Sequence, residues 1–230
     1  LGLRCGGFYQ YMSDPPSAAY AAKTKYTEPV ARRYFARPAR KHVPEMKLMA
    51  RACRFIPPQA SVLDVPCGGG RVTVQMAQAG YHMTAADIAE GMLTVARENF
   101  AAHGLHIPVQ QQDVEGLTLA DGSYDAVVCF RLFHHLPSPE IRARVVGELC
   151  RVARRQVVIS YFNAASVAAW QRRWRTRWKR KPCREYSTPL SELKHYFQQH
   201  GFQLVKDLAQ RRFFHNLHLA VFVRSEETKT

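Results

Sequence analysis

The chain has 230 residues, 47% apolar and 22% charged, which suits one ample globular domain with a modest cap and falls short of two full domains. That composition excludes disorder, collagen-like repetition and a disulfide scaffold. The six cysteines include no CxxC pair that would suggest zinc, and no apolar run approaches the roughly 18 residues of a membrane span.

The net charge of +15 is placed unevenly: residues 1–60 balance at +8, residues 61–150 at −5, and residues 151–184 carry 11 basic side chains and no acidic one. An acidic middle between basic arms suits a cationic ligand at the centre and an anionic substrate or surface beside it; a merely basic solvated face is the plainer reading. The opening Leu1-Gly2-Leu3-Arg4 lacks the apolar stretch of a signal peptide, and scattered thiols fit a reducing compartment. A cytoplasmic location is therefore expected.

Within an N-terminal arm of residues 1–58, residues 43–55 have helical spacing and stop at Pro57-Pro58. The main unit, residues 59–230, opens with the short β-branched run 61–65, which reads as a buried strand before a glycine cluster. A helix over 72–79 stops at Gly80, a strand over 81–86 ends at Asp87, and a helix over 90–103 stops at Gly104. Strands follow over 107–112 and 124–130, then a helix over 139–152 and a strand over 156–161. The tail reads as a helix over 191–199 and strands over 202–208 and 217–224, whose short connection makes them antiparallel. Alternating strands and helices imply right-handed crossovers and a mostly parallel sheet covered on both faces. Residues 162–189 are an insertion after the fifth strand.

In such a sheet, ligands bind beyond the carboxyl ends of the strands. The first strand ends in Asp64-Val65-Pro66-Cys67-Gly68-Gly69-Gly70-Arg71, where glycines permit a sharp turn and close approach to a ligand at a helix N-terminus. Asp87 ends the second strand 23 residues after Asp64, the spacing at which a carboxylate accepts from ribose hydroxyls, and Asp113 ends the third. Three carboxylates at successive strand ends argue against a pyrophosphate and for a positively charged nucleoside. The absence of GxxxxGK[ST] argues against a nucleoside triphosphate.

The stretches VLDVPCGGGR (residues 62–71), ADIAEGML (86–93), QQDV (111–114) and YDAVVCFRLFHHL (124–136) together resemble the motifs of class I S-adenosylmethionine-dependent methyltransferases, in particular the small-molecule branch that includes quinone-biosynthesis enzymes. LSELKHYFQQHGF (residues 190–202) matches the helix that precedes the terminal hairpin in that family. The resemblance implies an α/β, Rossmann-like class I methyltransferase fold, with a mostly parallel seven-stranded sheet, an antiparallel terminal hairpin and helices on both faces. It implies S-adenosyl-L-methionine as cofactor and no metal. Carried over by position, it has the loop from Asp64 to Gly70 wrap the methionine part, with Gly68 and Gly70 allowing close approach. Asp87 holds the ribose, Asp113 and the Val114 amide meet the adenine, and the backbone at Phe130 and Arg131 faces the methionine amino group. Pro66, Arg71, Ile88 and Met92 are the remaining cofactor positions. Pro66 stands where the family usually has glycine, and Ala89 where serine is common.

For the acceptor, His134 and His135 follow the fourth strand and are the candidates for a general base, against a packing role for either. Tyr26 and Tyr34 are candidate substrate-lining residues, joined by Arg173 and Arg177 from the insertion. There Trp170, Trp174 and Trp178 recur at helical spacing among Arg172, Arg173, Arg175, Arg177, Lys179, Arg180 and Lys181. That stripe reads as core docking, as a peripheral membrane-surface helix, or as an RNA grip. The leading expectation is a methyltransferase for a small or lipid-linked, anionic acceptor. The alternatives are an RNA methyltransferase, supported by charge, and a non-catalytic binding module on the same fold, supported by Pro66 and Ala89. Phe130-Arg131-Leu132-Phe133 lacks the Asn-Pro-Pro-aromatic signature of nitrogen methylation.

Overall fold

Strands in a doubly covered sheet must offer apolar side chains to two layers, and those of this chain do so residue by residue. A computed structural model describes residues 27–36, 42–167, 185–209 and 216–225. Its elements are α1 (Glu28–Phe35), α2 (His42–Cys53), β1 (Ser61–Asp64), α3 (Arg71–Gln78), β2 (His82–Asp87), α4 (Glu90–Ala102), β3 (Val109–Gln111) and β4 (Tyr124–Cys129). A single 3-10 turn (Phe133–His135) leads to α5 (Pro139–Val152), β5 (Ala153–Phe162), α6 (Leu190–Gln198), β6 (Phe202–Ala209) and β7 (Leu217–Arg224). Among the described residues the strands form one seven-stranded sheet in the order β3-β2-β1-β4-β5-β7-β6. The pairs β1–β2, β1–β4, β2–β3 and β4–β5 are parallel, while β7 runs antiparallel to both β5 and β6.

Alternation assigns the two faces. Leu63, Val127, Val157, Ile159, Ala220 and Phe222 pack with Val145, Leu149, Leu193 and Phe197 of α5 and α6. Val62, Ala126, Val128, Val158, Leu219 and Val221 pack with Leu48, Met49 and Ala52 of α2 and with Val72 and Met76 of α3. Each large apolar side chain so buried contributes about 2 kcal/mol of transfer free energy. A third cluster joins Val74, Leu93, Ala96 and Phe100 under α3 and α4, and α1 docks Ala31 onto Met92 and Val95 of α4.

The local signals explain the element ends. Ser138 Oγ accepts from the Ile141 amide at 3.3 Å, with Pro139 and Glu140 in the first turn of α5. Gly70, at φ +76°, starts α3 in the left-handed region, and a Cβ there would lie 2.3 Å from Phe100 Cε1, so a side chain is excluded twice over. The structure differs from the sequence reading at three places. The parallel strand β3 is three residues long instead of six. Strand β5 begins at Ala153, directly after α5, because Arg154 and Arg155 continue the sheet with exposed side chains. Helix α1 was not anticipated. Of the insertion, residues 168–184 lie outside the described residues, as do Tyr26, Arg173, Arg177 and the three tryptophans. No helix among the described residues is long and apolar enough to cross a membrane.

Candidate active site

The carboxyl ends of β1, β2, β3 and β4 open into one cleft enclosing about 1030 Å³, its open mouth included. At its floor Asp64 ends β1, only 1% exposed. Its Oδ2 accepts from Thr73 Oγ at 2.6 Å, while its Oδ1 is buried with no hydrogen-bond partner. Burial pushes this carboxyl up to about 7, against the pull of the Thr73 hydrogen bond and with a further push from Asp87.

The glycine turn is built on Asp87. The Cys67 amide donates to the Ala86 carbonyl at 2.8 Å, and the Gly68 amide, at φ +53°, donates to Asp87 Oδ2 at 2.9 Å. The Ala89 amide donates to Asp87 Oδ1 at 3.0 Å. Burial raises the Asp87 carboxyl, and the amides of Ala89, Gly68 and Ile88 oppose that rise. Asp87 therefore ties the turn after β1 to the start of α4. Asn99 secures the next residue by donating to the Gly69 carbonyl at 2.9 Å. Past β3, Asp113 Oδ1 accepts from the Glu115 amide at 3.0 Å, folding the chain so that Asp113 and Val114 face the cleft.

Beyond β4, Arg131 adopts φ +62°, a left-handed conformation uncommon for a residue with a side chain, and its amide donates to Ser160 Oγ at 2.6 Å. Its Nη1 donates to Glu45 Oε1, which comes from the first turn of α2. The other Glu45 oxygen lies 3.8 Å from His42 Nδ1. Burial and the charge of Arg71 hold the His42 imidazole below its ordinary pKa, so it is neutral at pH 7. The guanidinium of Arg71 lies 5.9 Å from the Tyr34 ring centre and 5.7 Å from that of Phe35, which brings α1 to the same wall.

Most residues anticipated from the sequence come together here. Asp64, Pro66, Gly68 and Arg71 line the cleft from the first turn; Asp87, Ile88 and Met92 do so from the second, Asp113 and Val114 from the third, Phe130 and Arg131 from the fourth. Tyr34 and His135 also line it. Pro66 follows Val65 through a cis peptide. Gly70 stands behind the lining, where it packs on Phe100. The expectation for His134 as a base is corrected: its ring is 0% exposed, lies off the cleft and stacks on Phe162 at 3.9 Å. The two neighbouring rings lie 4.1 Å apart, and of the pair it is His135 that reaches the lining. Sequence reasoning missed Glu45, Met46, Gln112 and Leu132 on the lining. Glu45 had a signal, being the sole acidic residue between Glu28 and Asp64 in a basic arm.

Cys67 also lines the cleft, but burial holds its thiol well above the ordinary range, so it is no nucleophile. Among the described residues, no group of three or more His, Cys, Asp or Glu side chains is disposed to hold a metal ion.

A family model described as a methyltransferase domain matches residues 62–156. A ubiquinone biosynthesis O-methyltransferase of Xanthomonas axonopodis pv. citri (strain 306) is 37% identical over 101 residues, 44% of this chain and 42% of the relative. One from Hahella chejuensis (strain KCTC 2396) is 36% identical over 98 residues, 42% of this chain and 40% of the relative. The match thus spans less than half the length of these curated relatives. Among solved structures, magnesium protoporphyrin IX methyltransferase from Synechocystis PCC 6803 with bound SAH superposes with a TM-score of 0.64 at 21% identity, covering 80% of this chain and 84% of that one. A protein from Pyrococcus horikoshii OT3 gives 0.67 at 16% identity, covering 84% and 99%. The structural neighbours establish a Rossmann-like methyltransferase fold.

Proposed function

Because residues 62–156 belong to the class I S-adenosylmethionine-dependent methyltransferase family, we propose that this chain transfers a methyl group from S-adenosylmethionine to a small acceptor carrying a hydroxyl group. The observation that carries the reading is the convergence of Asp64, Asp87 and Asp113 on one cleft around the Gly68 turn. The residues fit the group. A cationic amino acid-nucleoside calls for carboxylates rather than a phosphate cradle, and the unpartnered, buried Asp64 Oδ1 is an acceptor awaiting a donor. In this assignment Asp64 and the glycine turn receive the methionine end. Asp87 accepts from the ribose through the lone pairs its two amide contacts leave free, and Asp113 with Val114 meets the adenine. Bound there, S-adenosylmethionine supplies a methyl group already activated by a sulfonium.

The protein's part is alignment and exclusion of water around an in-line displacement. His135, on the lining where His134 is not, is the group available to take a proton from an acceptor hydroxyl. Tyr34 closes the acceptor side. Tyr26 and the basic segment with Arg173 and Arg177 complete it in this reading, which extends to lipid-linked, anionic acceptors met at a membrane surface. The names of the curated relatives support the hydroxyl acceptor. The charge of +15 favours RNA as a second reading.

One experiment separates them. The protein is incubated with S-adenosylmethionine labelled in the methyl group, with catechol in one arm and total RNA in the other. Label is expected in the catechol and to be lost with His135→Ala. Label in RNA alone would favour the second reading, and folded protein that labels neither would contradict the proposal.

A further inference from the structure

The wall formed by α2 and the turn after β4 carries charges that the cofactor assignment leaves unused. Arg131 is held there in a left-handed conformation, φ +62°, with its amide fixed by Ser160 Oγ. Strain of that kind persists only where surrounding structure maintains it, and it concentrates at functional sites. The guanidinium is half used. Nη1 donates to Glu45 Oε1, but Nε is buried and has no hydrogen-bond partner among the described residues. A guanidinium offers a planar fork whose best partner is a carboxylate gripping two of its nitrogens, and Glu45 grips one. Two carboxylates, Glu45 and Glu185, act on the Arg131 guanidinium, and of these Glu45 is the one that lines the cleft. Finally, Glu45 has somewhere to go, because His42 Nδ1 lies 3.8 Å from its second oxygen.

We propose that Arg131 and Glu45 form a carboxylate-exchange site: Glu45 is the internal occupant, and a ligand carboxylate binds Arg131 through two nitrogens by displacing it toward His42. The inference rests on the methyltransferase reading for which cleft is meant, and it adds the chemical class of ligand that this wall selects. Such a carboxylate has two sources, the amino-acid end of the cofactor or the acceptor itself.

Calorimetry on the full chain distinguishes them. In one arm, S-adenosylhomocysteine is compared with 5′-methylthioadenosine, the same nucleoside without the amino acid. In the other, benzoate is compared with uncharged benzamide on protein saturated with S-adenosylhomocysteine. Glu45→Gln removes the competing charge at constant shape and is expected to raise the carboxylate preference about fivefold or more in one arm. Arg131→Gln is expected to lower that same preference about tenfold or more, while 5′-methylthioadenosine binding stays within about twofold. A response in the first arm identifies the cofactor as the source, and one in the second identifies the acceptor. If Arg131→Gln does not fold, Arg131→Lys, which keeps the charge and loses the fork, is read in the same way. Unchanged preferences in both arms, or a fall with Glu45→Gln, would overturn the exchange site. Failure of wild-type protein to bind either nucleoside would overturn the methyltransferase reading, and the exchange site with it.

Discussion

Asp64 is a carboxylate fully buried at the floor of a cleft assigned to a cationic ligand, and the two facts pull in opposite directions. Burial raises its pKa from 3.8 to about 7, so the native state binds more protons than the unfolded chain between those values. Its contribution to stability is full below the unfolded value and is lost as pH rises through about 7. A cation bound beside it favours the ionised form and reverses that preference. The affinity for S-adenosylmethionine should therefore rise about tenfold between pH 6 and pH 8, and Asp64→Asn should flatten that rise; calorimetry at the two pH values measures both. The glycines of the neighbouring turn separate into two kinds. Gly70→Ala meets a positive φ and the Phe100 ring together, and should cost about 3 kcal/mol, lowering the melting temperature by roughly 6–12 °C. Gly68→Ala meets no atom within 4 Å, so its cost is the strain of φ +53° alone, about 1 kcal/mol, and its main effect should fall on ligand binding. Much of this was legible, because the turn's sequence and the Asp64-to-Asp87 spacing are local. What separates Gly68 from Gly70 and His135 from His134 is a contact with Phe100 in one case and Phe162 in the other, which no local pattern contains.

Helices α1 and α6 both attach to the domain through arginine–glutamate pairs, yet those pairs differ in weight. On α1, Arg32 bridges Glu28 and Glu98 with all three side chains about half exposed. Water and salt screen such a network, so Arg32→Ala should leave the denaturant midpoint close to that of the wild-type protein. On α6, Glu192 accepts from Arg142 Nη1 at 3.0 Å and from the Tyr196 hydroxyl at 2.8 Å, and the Arg142 side chain is 8% exposed. Glu192→Ala would leave a buried guanidinium half paired, so a loss of about 2–3 kcal/mol is expected in denaturant titrations. Helix α6 was readable from its periodicity. Helix α1 was not, because it is eight residues long and its docking depends on Phe35 meeting Gly69, where a Cβ would lie 2.3 Å from the Phe35 ring. Strand β5 was read too short for a related reason: Arg154 and Arg155 look like loop residues until the sheet is seen to run to its exposed edge.

At the scale of the whole chain, the charge blocks of the sequence do not map onto the cleft: its strand-end carboxylates and both lining guanidiniums, Arg71 and Arg131, come from the acidic middle, and the basic N-terminal arm contributes Glu45. The alternation of strand and helix made the sheet and its antiparallel finish readable, since each strand had to supply both faces. The partner of Arg131 was not readable, because Glu45 arrives from 86 positions away. The account stands on the strand-end carboxylates holding a sulfonium nucleoside, and titration of S-adenosylhomocysteine into wild-type and Asp87→Asn protein tests it most directly. One site per chain is expected, weakened about 10- to 100-fold by Asp87→Asn, the worth of a hydrogen bond to a charged group. Equal affinity in the two proteins, or no binding at millimolar ligand by folded wild-type protein, would contradict it.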